Sequence, residues 1–227
     1  MDGGSTSESY SDEDTDWIST FLSQSSFRRL LVEVPDVFFG DNLALCGLDA
    51  EVKHFNDALR IIRNQAPTDL DVDTASRAAA LLYARAHARY VLTPQGLEDV
   101  RAKYERCDYG KCPRYLCGGQ RMLPYGAVDR PGKAVLRFFC PCCHQLYKLF
   151  VHTPDQFIDG CFYGPNLAPM FLLTYPALLP RNCPKYEARI YGFALYDPEK
   201  RGTRINPVLR SLIESDEELR KHLSQCP

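Results

Sequence analysis

The run Cys112-Pro113-Arg114-Tyr115-Leu116-Cys117-Gly118-Gly119, followed further along the chain by Cys140-Pro141-Cys142-Cys143, decides the fold. Two close cysteine pairs joined by a loop long enough for a β-hairpin make the zinc-ribbon arrangement. Each pair forms a turn whose backbone N–H groups can point at thiolate sulfur, and the strands between them bring the turns together. Pro113 and Pro141 pre-set the turns, and Gly118 relieves the backbone after the second cysteine. Four thiolates suit zinc, which accepts soft ligands in a tetrahedron and has no geometric preference of its own. Spacing leaves alternatives, because Cys107 precedes Cys112 at the same interval that separates Cys112 from Cys117, and Cys142 adjoins Cys143. The preferred set is Cys112, Cys117, Cys140 and Cys143. Cys107 is expected on the last turn of the preceding helix, and Cys140 with Cys143 gives a C-P-x-C knuckle.

Four sulfurs fill the coordination sphere, so the expected cofactor is one structural Zn2+ per chain; a catalytic ion keeps a position for water. Four thiolates and a divalent ion leave two negative charges on the site, and Lys111, Arg114 and Arg121 stand close enough in sequence to offset them. Competing readings are free buried thiols, a redox pair at Cys140 and Cys143, and His144 as an alternate ligand.

The rest of the chain is ordinary globular material: 227 residues, 45% apolar, 25% charged and 11% aromatic. A formal net charge of -2 gives no global attraction for nucleic acid or an anionic membrane. No apolar run reaches membrane-spanning length. Ten cysteines crowd toward the middle rather than spreading over a short chain, which argues against a secreted disulfide scaffold. Residues 1–16 carry Asp2, Glu8, Asp12, Glu13, Asp14 and Asp16 with no basic residue, the opposite of a targeting peptide. The expected location is intracellular, cytoplasm and nucleus.

The pattern predicts an α+β chain: an all-helical N-terminal domain, a small zinc-ribbon β domain and an extended C-terminal segment. The expected boundaries are a disordered acidic tail over 1–16, helices over 17–106, the ribbon over 107–160, a C-terminal segment over 161–197 and a helical or mobile tail over 198–227. Within the helical part, Trp17, Ile18 and Phe21 share a face. Val52, Phe55, Leu59 and Ile62 predict a helix from Asp49, as its cap, to about Gln65. An alanine-rich stripe predicts a helix from Thr74 to Tyr90, and Thr93-Pro94 opens another reaching Arg106. The ribbon is expected to use strands over Ala134–Phe139 and Leu146–Val151. A helix is expected over Asn166–Tyr175 and a strand over Arg189–Tyr196. Helical pattern resumes at Pro207, with Ser215 and Glu218 as a capping box.

The cysteine spacing, together with His87-Ala88-Arg89-Tyr90-Val91-Leu92-Thr93, Met122-Leu123-Pro124 and Ile190-Tyr191-Gly192-Phe193, closely resembles the regulatory (beta) subunits of the protein kinase casein kinase II. The likeness runs from about Trp17 to Phe193. It implies a homodimer joined through the ribbons and a C-terminal segment docking on the catalytic kinase subunit in a two-plus-two holoenzyme. It implies a non-catalytic subunit that alters stability and the choice of protein substrates. The family's long acidic stretch between helices shrinks here to Asp69, Asp71 and Asp73, and the tail after Tyr196 departs from the family pattern.

The residues argue parts of this independently. Val135, Leu136, Phe138, Phe139, Leu146, Tyr147, Leu149 and Phe150 are more apolar surface than a thin ribbon hides, so its own helices or a second copy must cover it. The candidate pairing patch is Pro113, Tyr115, Leu116, Leu146 and Tyr147. In a strand, Tyr191, Phe193 and Leu195 share one face and would anchor a partner, with Met170 as a further docking candidate. Ser11, before Asp12-Glu13-Asp14, fits the acidic preference of casein kinase II, with Ser9 and Ser5 less strongly placed.

An enzyme is excluded on motifs: no histidine pairs with a nucleophile, and there is neither a phosphate-cradling glycine loop nor a kinase signature. The rival is a zinc ribbon of the transcription machinery, a nucleic-acid binder. Arg114, Arg121, Arg130, Lys133, Arg137 and Lys148 are too dispersed to line up on phosphates, so no nucleic acid and no membrane partner is expected.

Overall fold

The computed structural model describes residues 16–23, 25–148, 158–180, 183 and 189–194. The acidic tail with Ser5, Ser9 and Ser11, the end of the second ribbon run and the stretch from Pro207 lie outside the described residues. Helices come first: α1 (Trp17–Ser23), α2 (Ser25–Leu30), α3 (Asp36–Gly40), α4 (Leu48–Glu51), α5 (Phe55–Ile62), α6 (Val72–Tyr90) and α7 (Pro94–Glu105).

The long helix α6 organises the helical part. Asp71 caps it by accepting the Thr74 amide at 3.0 Å. Ala75, Ala79, Leu82 and Ala86 are fully buried, and the small side chains let α5 lie along this face. Trp17 and Phe21 stack at 5.0 Å and turn toward Tyr83 of α6. At the other end Thr93 accepts the Gly96 amide and Pro94 occupies the first turn of α7. Gly96 is required there, because a Cβ would collide with the Tyr90 carbonyl.

The single helix expected from Asp49 to Gln65 is instead two. Val52 leaves the helix in an extended conformation, His54 turns left-handed at φ 60°, and α5 starts afresh at Phe55. The apolar spacing survives because Val52 and Ile62 are buried in the same core on either side of the break. Asp49 is not the cap; Gly47, at φ 76°, holds that position.

Three short strands form one small antiparallel sheet where the ribbon is expected: β1 (Leu123–Tyr125), β2 (Arg137–Phe139) and β3 (Leu146–Lys148), in that order. Leu123 pairs with Phe139, Pro124 with Phe138, and Phe138 with Tyr147. The run pattern missed β1 because Pro124 reads as a breaker; Pro is accommodated because β1 is an edge strand. The first expected strand is shorter than the sequence implied. Val135 forms an isolated bridge with Asp159, and regular pairing starts at Arg137.

Architecture changes at Cys107 while the core runs through. Leu123, Leu136 and Phe138 are buried in one cluster with Leu82, Tyr83 and Val100 from the helices. Helix α8 (Leu167–Thr174) packs on β1. Gly126 and Gly160 meet so closely that a Cβ on Gly126 would overlap the Gly160 carbonyl. Residues up to 184 make one compact unit, and those from 185 a second.

In that second unit, the strand expected over Arg189–Tyr196 is a tight hairpin: β4 (Arg189–Ile190) pairs with β5 (Phe193–Ala194). Tyr191 at φ 49° and Gly192 at φ 86° form the two-residue turn, with both central residues left-handed. Tyr191 and Phe193 therefore do not share a strand face. Tyr191 sits at the tip, Phe193 faces Ile190 across the pair, and Leu195 lies outside the described residues.

Candidate metal centre

The Sγ atoms of Cys112, Cys117, Cys140 and Cys143 all lie within 4.8 Å of one another. Two turns hold them. In the first, Cys112 follows the Lys111–Arg121 bridge and its amide donates to the Gln120 carbonyl at 2.7 Å. A 3-10 turn over Tyr115–Cys117 then brings the second sulfur back, ending at left-handed Gly118, φ 57°. In the second turn, the Cys140 amide donates to Gln145 and the His144 amide to Cys140, with His144 left-handed at φ 57°. Strand β2 leads into Cys140 and β3 starts just after this turn.

The geometry fits a four-coordinate ion. Tetrahedral zinc–sulfur bonds of about 2.3 Å place neighbouring sulfurs about 3.8 Å apart. Cys112 and Cys143 are 3.8 Å apart. The surroundings favour the anion unequally among the sulfurs. Burial pushes the Cys140 thiol up to about 12, against backbone N–H groups of Cys143 and Cys142 that favour its anion. Burial also raises Cys117, reinforced by hydrogen bonds with Cys112, Cys142 and Cys143. Burial raises Cys143 too, but donors outweigh it, the Tyr147 hydroxyl and the Gln145 amide bringing it down to about 6. Sulfurs this close cannot all ionise without a cation, and a divalent ion is what permits the full set of thiolates.

The fold separates this set from the alternatives. Cys107 has left the helix at φ 63°, and Arg121 donates to its sulfur at 3.2 Å, so Arg121 serves Cys107. His144 turns its ring onto Phe139, parallel and 6.2 Å away. Cys142 is buried at the margin of the cluster beside Cys117. Spacing alone did not reveal that the Tyr147 hydroxyl lies 3.2 Å from the Cys143 sulfur. That approach exists only because the chain reverses at His144.

The pairing candidates divide. Tyr115 is 94% exposed and Leu146 43% exposed, Pro113 is exposed, Leu116 is half-buried, and Tyr147 is half-buried against the core. Leu136 and Phe138 are covered by the chain's own core. Among the docking candidates, Tyr191 is 97% and Phe193 79% exposed on the hairpin, and Met170 is 44% exposed on α8. Ser5, Ser9 and Ser11 lie outside the described residues. Among those residues no helix is long and apolar enough to cross a membrane.

The chain matches known proteins over most of its length. The family model for the casein kinase II regulatory subunit matches residues 16–194. The casein kinase II subunit beta of Schizosaccharomyces pombe is 36% identical over 198 residues, covering 84% of this chain and 83% of the relative. The subunit beta-3 of Arabidopsis thaliana is 33% identical over 196 residues, covering 82% and 69%. The Suppressor-of-stellate-like protein of Drosophila melanogaster is 35% identical over 184 residues, covering 81% and 80%. The family match spans the helices and the four-sulfur cluster alike, and the relatives are regulatory subunits, which are non-catalytic: the chain belongs to the casein kinase II regulatory (beta) subunit family.

Proposed function

We propose that this chain is the scaffolding subunit of a casein kinase II holoenzyme. Cys112, Cys117, Cys140 and Cys143 hold one structural zinc ion, and the folded ribbon presents Pro113, Tyr115, Leu116, Leu146 and Tyr147 as a self-complementary pairing face. A two-fold dimer then offers two docking segments, Tyr191 and Phe193 on the hairpin and Met170 on α8, to two catalytic kinase subunits. The chain adds no catalytic group; it changes stability and the selection of protein substrates. Ser11, with Ser9 and Ser5, is its own phosphorylation segment, and the assembly works in cytoplasm and nucleus.

The observation that carries this reading is the four-sulfur cluster, set in a ribbon that leaves Tyr115 and Leu146 uncovered. Large exposed apolar groups beside a rigid metal knuckle suit pairing of copies. Native mass spectrometry of the purified chain, alone and with the catalytic subunit, tests it. The expected masses are a dimer with one zinc per chain and a two-plus-two complex. A well-folded monomer after exhaustive chelation would overturn the scaffold.

A further inference from the structure

Resting on the metal reading above, we infer that Tyr147 is a positioning residue of the centre: its hydroxyl donates a hydrogen bond to the Cys143 thiolate and holds that sulfur for the ion. The two atoms are 3.2 Å apart, and the hydroxyl also reaches the neighbouring Cys112 sulfur, itself 3.8 Å from that of Cys143. A thiolate bound to a metal carries no proton, so the hydroxyl must be the donor. Tyr147 comes from β3, whereas the Cys143 turn is otherwise held by its own backbone, with the Gln145 amide as the other donor to this sulfur. The ring is half-buried against the core and pairs across the sheet with Phe138, which is 1% exposed. The hydroxyl is thus fixed from the strand side, and the sulfur from the turn side.

The chemical effect follows. Four thiolates on a divalent ion hold excess negative charge, and a donor to one sulfur draws off part of it. Removing the donor leaves that sulfur richer in electrons and freer to move. Such supporting groups typically change metal affinity by about tenfold to a hundredfold.

The test is Tyr147→Phe in the full chain, with Tyr125→Phe in β1 as a control for losing a ribbon hydroxyl. Each is loaded with zinc, titrated against a chelator, and separately loaded with cobalt(II). For Tyr147→Phe, affinity should fall about tenfold or more, and the sulfur-to-cobalt charge-transfer band should move to longer wavelength. Tyr125→Phe should match the native chain in both. A native band with unchanged affinity overturns the role of Tyr147, and so does lost affinity with an unmoved band, which marks a packing defect alone. A native chain that takes up neither metal overturns the metal centre itself, a result distinct from either.

Discussion

His87 holds the carbonyl of Phe162 at 2.6 Å through Nδ1, and the ring has no exposed surface. On its other side Nε2 accepts the Val32 amide at 3.1 Å, which places the proton on Nδ1 and makes it the donor to Phe162. One imidazole thus ties the segment after α2 to the turn before α8, through α6. Both ring nitrogens are used only when the ring is neutral, because protonated Nε2 could no longer accept.

Burial first, with Lys103 adding, lowers the pKa of His87 to about 4, against the Phe162 carbonyl that favours the cation. In the unfolded chain the ring titrates near 6.5. Between these values the unfolded state binds the extra proton. The stabilisation is complete above pH 6.5, is lost as pH falls toward 4, and changes no further below. A shift of this size corresponds to about 3 kcal/mol. Urea midpoints from pH 7.5 to 4 should show that slope, and His87→Gln should flatten it while costing about 1–3 kcal/mol at pH 7.5. An equal slope in both proteins would assign it to other groups.

Cys140→Ser and Cys142→Ser separate ligand from neighbour. The first should abolish stoichiometric zinc and destabilise the ribbon, since structural zinc supplies about 10–16 kcal/mol in small domains. The second should keep one zinc per chain, because Cys142 lies outside the cluster of mutually close sulfurs. Metal analysis of both purified proteins decides it; loss of zinc in Cys142→Ser would redraw the ligand set.

Tyr191→Ala with Phe193→Ala should leave dimer and zinc unchanged and weaken binding to the catalytic subunit. Exposed aromatics that anchor an interface each contribute about 2 kcal/mol or more. Titration calorimetry with the catalytic subunit reads this directly, and unchanged affinity would remove the hairpin from the docking surface.

Gly126→Ala should destabilise the chain by about 1–3 kcal/mol, because the new methyl meets the Gly160 backbone and one of the two segments must shift. Gly118→Ala meets open space, and its cost comes only from the left-handed φ of 57°. Thermal melts of the two variants should rank Gly126→Ala as the less stable.

Much of the local structure follows from short-range chemistry alone. The cysteine intervals, Thr93-Pro94 as a helix start and the alanine stripe of α6 act within a few residues, and helix periodicity and turn preference suffice to read them. The position of the breaks was harder. Val52, Phe55, Leu59 and Ile62 keep helical spacing, yet the chain turns at His54, because burial constrains which side of the core a residue faces and not whether the backbone between stays helical. Tyr191-Gly192 turned a supposed strand into a hairpin for a related reason: alternation looks the same on either side of a two-residue turn.

The sequence by itself determined a helical part, a ribbon with four sulfurs and the family to which the chain belongs, because spacing along a chain is enough to specify them. Only the tertiary structure decided that Arg121 serves Cys107, that Tyr147 reaches Cys143, and that His87 joins Val32 to Phe162. These are contacts made by side chains across the fold, and their distances depend on how turns and layers close. No local preference encodes them, since each joins segments that only the folded chain brings together, and for His87 the core must also have excluded water.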